Sequence, residues 1–333
     1  MLMALFLGSA VIGSAWWMAE NTKRKRHSVS PGYQDAIQLP YQEEFELYHN
    51  VLSLCSMKSR VCLAELGIPY RSHHIDLIET GYYENIRAQF LAVNPAGTVP
   101  VLLHHGHPVY ESHEQIRYVA EHAPEGAPQL IPDDPELKKQ MEYWIDCSSL
   151  TNDPLAEMQQ SAGNCIPGLT LPLFAAMVAE IPSWKFVEGL LFHFDKRRPL
   201  LFLTLKQFGL KNFGSIKPVL KIYQQSRRLM AQFIDQLEKQ LQSAGGPWLL
   251  GKQFTLADVS WMVIFERFNQ ANCLHLFVND ATPACEAYWQ ALQTRPGYTE
   301  GIVKYPHPLI ALGTQRIMAI KSLTPQLKQA LEE

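Results

Sequence analysis

The sequence predicts an α/β domain followed by an all-helical domain, with one apolar helix ahead of both. Three observations support this fold class. Short apolar runs alternate with helical periodicity between residues 45 and 124, which is the pattern of a sheet layered with helices. Helical periodicity alone continues from residue 135 to about residue 310. Near the amino terminus, an uncharged run of seventeen residues extends from Leu2 to Met18.

Length and composition narrow the functional classes. A chain of 333 residues, 47% of them hydrophobic, can bury the cores of two domains. The net charge of −3 argues against a nucleic-acid binder. The six cysteines form no CxxC pair, so we expect reduced thiols in a cytosol-like compartment and no zinc site.

The amino terminus is predicted to be a transmembrane anchor over residues 1–26. Its uncharged run ends in Trp16 and Trp17, a residue type that suits the bilayer interface. Basic residues follow at 23–26, whereas a cleaved signal peptide carries them before its apolar core. The positive-inside rule then predicts a single-pass membrane protein with its globular domains on the cytoplasmic side.

A linker at 27–44 is expected to lead into the α/β domain at 45–124. Period-two alternation and apolar runs predict strands at 45–49, 71–77, 101–105 and around 109–110. Helical spacing predicts helices that start after residue 54, at 82–91 and from residue 111. Histidines at 73, 74, 104, 105 and 107 fall on these strands and their hairpin, and we interpret them as a solvated sheet edge, not a metal site.

The loop Asn94-Pro95-Ala96-Gly97-Thr98-Val99-Pro100 carries the clearest motif of this domain. It resembles the thioredoxin-like, glutathione-binding domain of the glutathione transferases. The resemblance implies that Pro100 is cis and that the backbone of Val99 contacts the cysteinyl part of glutathione. Glutathione is then expected as a cosubstrate.

The corner Tyr110-Glu111-Ser112 resembles the same family. The resemblance implies that Glu111 and Ser112 hold the γ-glutamyl end of glutathione. A carboxylate can bind the ligand ammonium, and a serine at a helix start can bind the ligand carboxylate. An ordinary helix cap is the alternative interpretation of these two residues.

Cys55 is the candidate nucleophile. The segment Ser53-Leu54-Cys55-Ser56-Met57-Lys58 resembles the tetrachlorohydroquinone dehalogenase branch of the family, whose cysteine attacks a glutathionyl-substrate adduct. A helix start and a nearby cation such as Lys58 both favour a thiolate. Such a cysteine can form or resolve a mixed disulfide with glutathione.

Two alternatives stay open at this site. Ser53 or Ser56 could donate a hydrogen bond to the glutathione thiolate and leave Cys55 as a bystander. The segment could also carry no chemistry. Cys62, two turns further along the helix, is expected to be a buried apolar residue.

The all-helical domain is predicted at 135–310, with a tail helix at 311–333. Thr255-Leu256-Ala257-Asp258 is a capping box ahead of an apolar helix, and it resembles the helix start found in the second domain of glutathione transferases. An insertion is expected at about 165–228. Between residues 185 and 228 it carries ten Lys or Arg against two acidic residues, which suits either an interfacial helix on anionic lipid or a helix pair that caps the domain.

These observations predict a membrane-tethered, glutathione transferase-like enzyme for thiol transfer. Conjugation, dehalogenation and thioether cleavage all fit, with an apolar electrophile as the second substrate and no nucleic-acid partner. The resemblance also implies a homodimer. The competing hypothesis is a non-catalytic protein that uses the transferase fold to bind partners or shape membranes.

Overall fold

The computed structural model describes residues 2–151 and 153–332, and their side chains from residue 12 onwards. The described residues form five strands: β1 (Gly32–Tyr33), β2 (Phe45–His49), β3 (Arg71–His74), β4 (Val101–His104) and β5 (His107–Tyr110). The helices up to the end of the first domain are α1 (Leu2–Lys23), α2 (Leu54–Glu65), α3 (Ala88–Leu91) and α4 (Ser112–Glu121). The later helices are α5 (Pro135–Cys147), α6 (Ala162–Leu169), α7 (Leu171–Met177), α8 (Ser183–Phe192), α9 (Arg197–Phe208), α10 (Lys217–Ser243), α11 (Leu256–Gln270), α12 (Pro283–Gln293), α13 (Pro296–Tyr298), α14 (Pro308–Leu323) and α15 (Pro325–Glu332).

The five strands form one sheet in the order β1-β5-β4-β2-β3. Strands β2 and β3 are parallel, and the other neighbouring pairs are antiparallel. In the central strands, Leu47 pairs with Ser72 on one side and with Leu102 on the other. Leu47, Leu102 and Val109 are fully buried, so the domain core lies against the central strands. The thioredoxin-like α/β domain is confirmed.

The segment between β3 and β4 differs from the sequence prediction. Strand β3 ends at His74, and the helix predicted at 82–91 is reduced to two 3-10 turns and the four residues of α3. Side chains hold the turns in place: the Glu84 carboxylate accepts from the Asp76 N–H at 2.8 Å, and the Thr80 hydroxyl accepts from the Leu77 N–H at 3.1 Å. Local side-chain bonds of this kind compete with regular helix.

The predicted linker is fastened to the sheet. Strand β1, within residues 27–44, pairs with β5, whose outer edge would otherwise have unpaired backbone groups. Leu39 N–H donates to the Gly106 carbonyl at 2.9 Å, and the Tyr33 ring stacks on Tyr118 with centroids 5.2 Å apart. Because β1 pairs with the open edge of β5, residues 27–44 lie against the first domain and do not form a loose linker.

The second domain is all-helical, as predicted, and α11 is its central helix. Thirteen of the fifteen residues of α11 are buried. Asp258, in its first turn, accepts hydrogen bonds from the N–H groups of Thr255 and Leu249 and from the Tyr288 hydroxyl, at 2.8 to 3.0 Å. These bonds satisfy a buried carboxylate and fix the helix start.

Part of the insertion lies in the core of this domain. Among the residues whose side chains are described, which excludes the first half of α1, Ala162–Glu180 is the segment apolar and long enough to cross a membrane, and 83% of its apolar window is buried inside the protein. The other part, α8 and α9, packs on the first domain. Gly189 lies against Tyr83 so closely that a Cβ there would be 2.3 Å from the tyrosine oxygen, and Lys185 Nζ lies 3.4 Å from the centre of the Tyr82 ring.

Helix α1 covers most of the predicted anchor. The anchor's side chains up to residue 11 lie outside the described residues, and its insertion in a membrane stays a prediction. At its carboxy-terminal end, α1 contacts α8: the rings of Trp16 and Phe192 lie 5.9 Å apart, and the Arg24 guanidinium lies 2.8 Å from the Glu188 carboxylate. This contact was not foreseen from the sequence.

The predicted tail helix at 311–333 is two helices, α14 and α15. They are separated at Thr324, because Pro325 has no N–H to continue α14. Helix α15 packs on α10, where the Tyr223 hydroxyl donates to the Leu331 carbonyl at 2.9 Å.

Candidate active site

Cys55 is the second residue of α2, and side chains fix the backbone on either side of it. The Ser53 hydroxyl caps the helix by accepting from the Ser56 N–H at 3.2 Å. Before it, the Asn50 side chain accepts from the Leu52 N–H at 2.9 Å and donates to the backbone just after β3, also at 2.9 Å. The loop ahead of Cys55 is therefore held in one conformation.

Cys55 differs from the other cysteines in its exposure. Cys55 is partly exposed, whereas the remaining five are buried. Cys62, on the same helix, is fully buried, and burial together with the charge of Glu65 raises the pKa of its thiol well above the usual value. Because the thiolate is the nucleophile, α2 offers one accessible sulfur.

The structure separates the two candidate serines. Ser56 is fully buried, and its hydroxyl oxygen accepts from the Asn50 N–H at 3.2 Å. Ser53 is half-buried beside Cys55, and its oxygen serves as a hydrogen-bond acceptor in the helix cap. Its hydroxyl proton therefore remains free to be donated to a sulfur atom. Of the two serines, Ser53 is the accessible one.

Lys58 lies behind Cys55, between the two domains, and is 1% exposed. Its Nζ donates to the Ser148 carbonyl at 3.0 Å and contacts the Nε2 of His113 at 2.8 Å. Burial lowers the pKa of Lys58 to about 8, and the negative charge available at Cys55 opposes that lowering. The Lys58 ammonium does not face solvent, where a ligand would approach, and its effect on Cys55 stays a prediction.

His113 was missed by the sequence analysis. Burial, with the charges of Lys58 and Arg117, lowers its pKa well below the usual value, so its imidazole is neutral. Since Lys58 can only donate, the Nε2 of His113 accepts, and its Nδ1 carries the proton towards the Ser149 hydroxyl at 3.2 Å. These hydrogen bonds connect Lys58 on α2, His113 on α4 and Ser149 just after α5.

The loop at 94–100 is shaped by one side chain. The Asn94 amide donates to the Thr98 carbonyl at 2.7 Å and accepts from the Ala96 N–H at 3.0 Å. The Val99–Pro100 peptide bond is cis, as the resemblance implies. Val99 is half-buried and Pro100 is buried.

Glu111 has a strained backbone. Its φ of 67° lies in the region that favours glycine, yet the residue is a glutamate. Such conformations cost on the order of 1–3 kcal/mol and concentrate at ligand sites. Partial burial and then the charge of Glu114 raise the pKa of its carboxyl group, although the side chain remains exposed. Ser112, buried, starts α4 directly after it.

Gln115 joins the predicted parts of the site, and the sequence analysis did not identify it. Its Nε2 donates to the Pro100 carbonyl at 3.1 Å and to the Val109 carbonyl at 2.8 Å. Its Oε1 accepts from the Ser59 hydroxyl at 2.7 Å. One amide side chain thus holds the cis-proline loop, β5 and α2 together. Its position three residues after Ser112, on the buried face of α4, was the available signal.

The histidines are not simply a solvated edge. His104 lies inside the sheet, where its ring stacks on Phe45 at 4.3 Å and its Nδ1 lies 2.7 Å from the Tyr118 hydroxyl. Side-chain donor atoms of Glu44, His104 and His105 lie within 4.8 Å of one another, so a carboxylate does accompany them. Glu44 and His105 are exposed, and the absence of a metal site stays a prediction.

Both domains match the glutathione S-transferases. The model of the glutathione S-transferase N-terminal domain matches residues 52–122, and that of the C-terminal domain matches residues 221–305. The chain thus carries both domains of the glutathione S-transferase superfamily. It is a glutathione transferase-like enzyme, and glutathione is its cosubstrate. Most of the predicted insertion lies between the two matched ranges.

Within the superfamily, two curated relatives span most of the chain. The 2,5-dichlorohydroquinone reductive dechlorinase of Sphingobium indicum is 24% identical over 311 residues, covering 80% of this chain and 85% of that protein. Glutathione S-transferase TCHQD of Arabidopsis thaliana is 23% identical over 263 residues, covering 78% of this chain and 90% of that protein.

A solved structure shows the same fold. The beta-etherase LigF of a Sphingobium strain has a TM-score of 0.63 and 20% identity. The match covers 79% of this chain and 100% of that chain.

Proposed function

We propose that this enzyme transfers thiols through Cys55, in a site that binds glutathione against the cis-proline loop and the start of α4. The observation that carries the proposal is the convergence at Gln115, which bonds to the Pro100 carbonyl and, through Ser59, to the helix of Cys55. The one partly exposed cysteine thus lies on the same rigid frame as the residues expected to hold glutathione.

Each part of the frame has a proposed role. The backbone of Val99 pairs with the cysteinyl part of glutathione. Glu111 binds the γ-glutamyl ammonium, and Ser112 with the first N–H groups of α4 binds the neighbouring carboxylate. Lys58 stays buried and supplies positive charge behind the sulfur.

The proposed chemistry has three balanced steps. In the first, the glutathione thiolate displaces a leaving group X⁻ from the substrate R–X and forms R–SG; the Ser53 hydroxyl stabilises that thiolate. In the second, the Cys55 thiolate attacks the sulfur of R–SG, the R–S bond breaks, and R takes a proton to give R–H and a Cys55–glutathione disulfide. In the third, a second glutathione thiolate releases glutathione disulfide and restores Cys55.

The relatives favour an aromatic substrate. A reductive dechlorinase and a beta-etherase act, by their names, on a chlorinated hydroquinone and on an ether. A halogenated aromatic or an aryl ether would supply the leaving group of the first step. We therefore propose an apolar aromatic electrophile as the second substrate.

The proposed first step uses Ser53, whereas the second and third use Cys55, so single substitutions can distinguish the roles of the two residues. We expect Cys55→Ala to retain conjugation, to accumulate R–SG, and to lose formation of R–H and glutathione disulfide by at least about a hundredfold. Ser53→Ala should slow the first step instead. Cys62→Ala, which removes a buried sulfur from the same helix, is the matched control and should retain all three steps.

The opposite results have defined meanings. Unchanged R–H formation by Cys55→Ala would remove Cys55 from the mechanism. Absence of any glutathione-dependent turnover, together with failure to retain the protein on immobilised glutathione, would favour the non-catalytic binding protein.

We also propose that α1 tethers the enzyme to a membrane, with both domains on the cytoplasmic side, and that the enzyme is a homodimer. The uncharged run and the basic residues after it support the tether. Extraction of the full chain with alkaline carbonate tests insertion, because an inserted helix stays in the membrane pellet. Light scattering of the detergent-solubilised protein tests the dimer, and a monomer mass would contradict it.

A further inference from the structure

The ends of α1 and α8 line an open cleft of about 510 Å³. Cys55 is not among the residues that line it. Its lining combines aromatic and apolar side chains with basic ones. Residues that line it include Trp17, Arg26, Leu191, Phe194 and Lys196. Neither the transferase chemistry nor the tether accounts for this combination.

The contact between the two helices fixes the shape of the cleft. Arg24 lies over the Phe192 ring, 4.3 Å from its centre, and its guanidinium is 2.8 Å from Glu188. The Glu188 carboxylate also forms an ion pair with the Arg87 guanidinium, with 2.9 Å between nitrogen and oxygen. Burial alone would raise the pKa of Glu188, but the bonds from these arginines outweigh it and hold the pKa below its usual value. The carboxylate is ionised and fully paired.

Three basic side chains around the cleft have no acidic partner among the described residues. Lys25, Arg26 and Lys196 are exposed, and within residues 2–151 and 153–332 none of them has an ion pair. Arg26 lies over Phe194, with its guanidinium carbon 3.6 Å from the ring centre, and it has no acidic partner within these ranges, so its N–H groups can bind an anion. Asp195, the nearest acid in sequence, is paired with Arg197 at 2.9 Å. The cleft therefore favours an anionic group, such as a phosphate.

An apolar stripe lies beside these cations. Trp184, Val187 and Leu191 recur on one face of α8 and are 68%, 48% and 40% exposed, and Phe194 follows at 51%. A free phosphate ion would cover none of this surface. A bilayer interface would, because tryptophan and other apolar side chains enter it while basic residues contact anionic headgroups.

We propose that this cleft binds the headgroup of an anionic phospholipid, so that the stripe on α8 lies in the membrane interface. The inference deepens the membrane part of the proposed function and does not depend on the chemistry at Cys55. It is supported by continuity with α1: the basic residues of the cleft directly follow the uncharged run, where headgroups would meet an inserted helix.

The test places an environment-sensitive fluorophore on α8. Leu191→Cys is introduced into the full chain in a Cys55→Ser background, where the five native cysteines that remain are buried. The protein is reconstituted in nanodiscs of phosphatidylcholine, with or without phosphatidylglycerol. We expect the label to shift to the blue, and to be protected from a water-soluble quencher, in the discs that contain phosphatidylglycerol.

Charge reversal identifies the cleft. The triple variant Lys25→Glu, Arg26→Glu, Lys196→Glu should lose the protection by at least about tenfold, because three side chains that attract an anionic surface then repel it. The matched control reverses Lys138, Lys139 and Lys252, three exposed lysines elsewhere on the protein, and should retain it. Turnover in detergent, measured on the same three charge reversals in a chain that keeps Cys55 and Leu191, should be unchanged.

Each other result overturns the inference. If the label were equally protected in both kinds of disc and charge reversal had no effect, the face of α8 would contact the bilayer through apolar side chains and the cleft would not bind a headgroup. A label that is exposed in both would mean that this face points to water. Soluble glycerol phosphate that shifts the label without any disc would assign the cleft to a soluble anion. A chain that stays out of the discs altogether would contradict the tether as well, whereas turnover measured in detergent tests the enzyme separately.

Discussion

Helices α2 and α8 have similar lengths but opposite relations to solvent. Ten of the twelve residues of α2 are buried, among them Lys58 and Arg60, and the polar groups of both have hydrogen-bond partners. In α8 three of ten residues are buried, while Trp184 and Leu191 are exposed. Helix α2 is therefore part of the core that positions the active site. The outer face of α8 contributes little to folding and is available to a partner.

Among the polar contacts of the site, the largest effect on stability is expected at Gln115. Gln115→Leu keeps the volume but leaves the carbonyls of Pro100 and Val109 and the hydroxyl of Ser59 without this partner. At about 1–3 kcal/mol for each unsatisfied buried group, partly relieved by relaxation, we expect a loss of about 3–4 kcal/mol in the free energy of unfolding. Urea denaturation measures it.

The control for that variant is Gln232→Leu, on the exposed side of α10, which should change the free energy by less than about 0.5 kcal/mol. Retained glutathione affinity in Gln115→Leu would show that the site does not depend on this amide.

A pH-dependent effect of the next size is expected at Lys58. Burial lowers its pKa to about 8 from the usual 10.5. Between these values the unfolded chain holds a proton that the folded protein has lost, so this residue makes stability rise with pH across that window. The rise is at most about 3 kcal/mol. Lys58→Met should abolish it, as urea denaturation at pH 8 and pH 10 would show.

Lys139→Met, at an exposed position on α5, should preserve the pH dependence of the native protein. A native protein with no excess rise over Lys58→Met would indicate that the Lys58 ammonium is as well stabilised in the fold as in water.

A smaller and opposite effect is expected at Glu111. Glu111→Gly relieves a φ of 67° and should stabilise the fold by about 1 kcal/mol. The same change removes the carboxylate and should weaken glutathione binding. Calorimetry of unfolding and of glutathione binding should therefore move in opposite directions. Loss of stability would show that the glutamate side chain, and not the strain, dominates.

The smallest effect is expected on α8. Trp184→Ala removes a large side chain that is 68% exposed, and the free energy of unfolding in detergent should change by less than about 0.5 kcal/mol. Phe186→Ala, on the buried face of the same helix, should cost about 3–5 kcal/mol. Similar costs for the two would contradict the description of α8 as a helix with one free face.

Sequence patterns were sufficient where local rules apply. The capping box at Asp258 and the alternating strands depend on residues within a few positions of one another. The sequence could not reveal partners set by packing. Lys58 bonds to Ser148 ninety positions away, and Arg24 to Glu188 at a separation of 164. Gln115 has no motif, because its role depends on three segments that meet only in the fold.

The helix predicted at 82–91 was wrong for a related reason. Its segment has helical spacing, but the side chains of Thr80 and Glu84 bond to nearby backbone and hold turns instead. The spacing of apolar residues carries no information on whether side chains will bond to the backbone in place of helical hydrogen bonds.

The most direct test of the central claim, that Cys55 is the sulfur that exchanges with glutathione, is to map disulfides on the enzyme during turnover. The protein is quenched in acid with a thiol-blocking reagent, digested, and its cysteine peptides are identified by mass spectrometry. We expect a glutathione disulfide on Cys55 and none on Cys62. Continued formation of R–H and glutathione disulfide, with Cys55 found only as the blocked thiol, would contradict the claim.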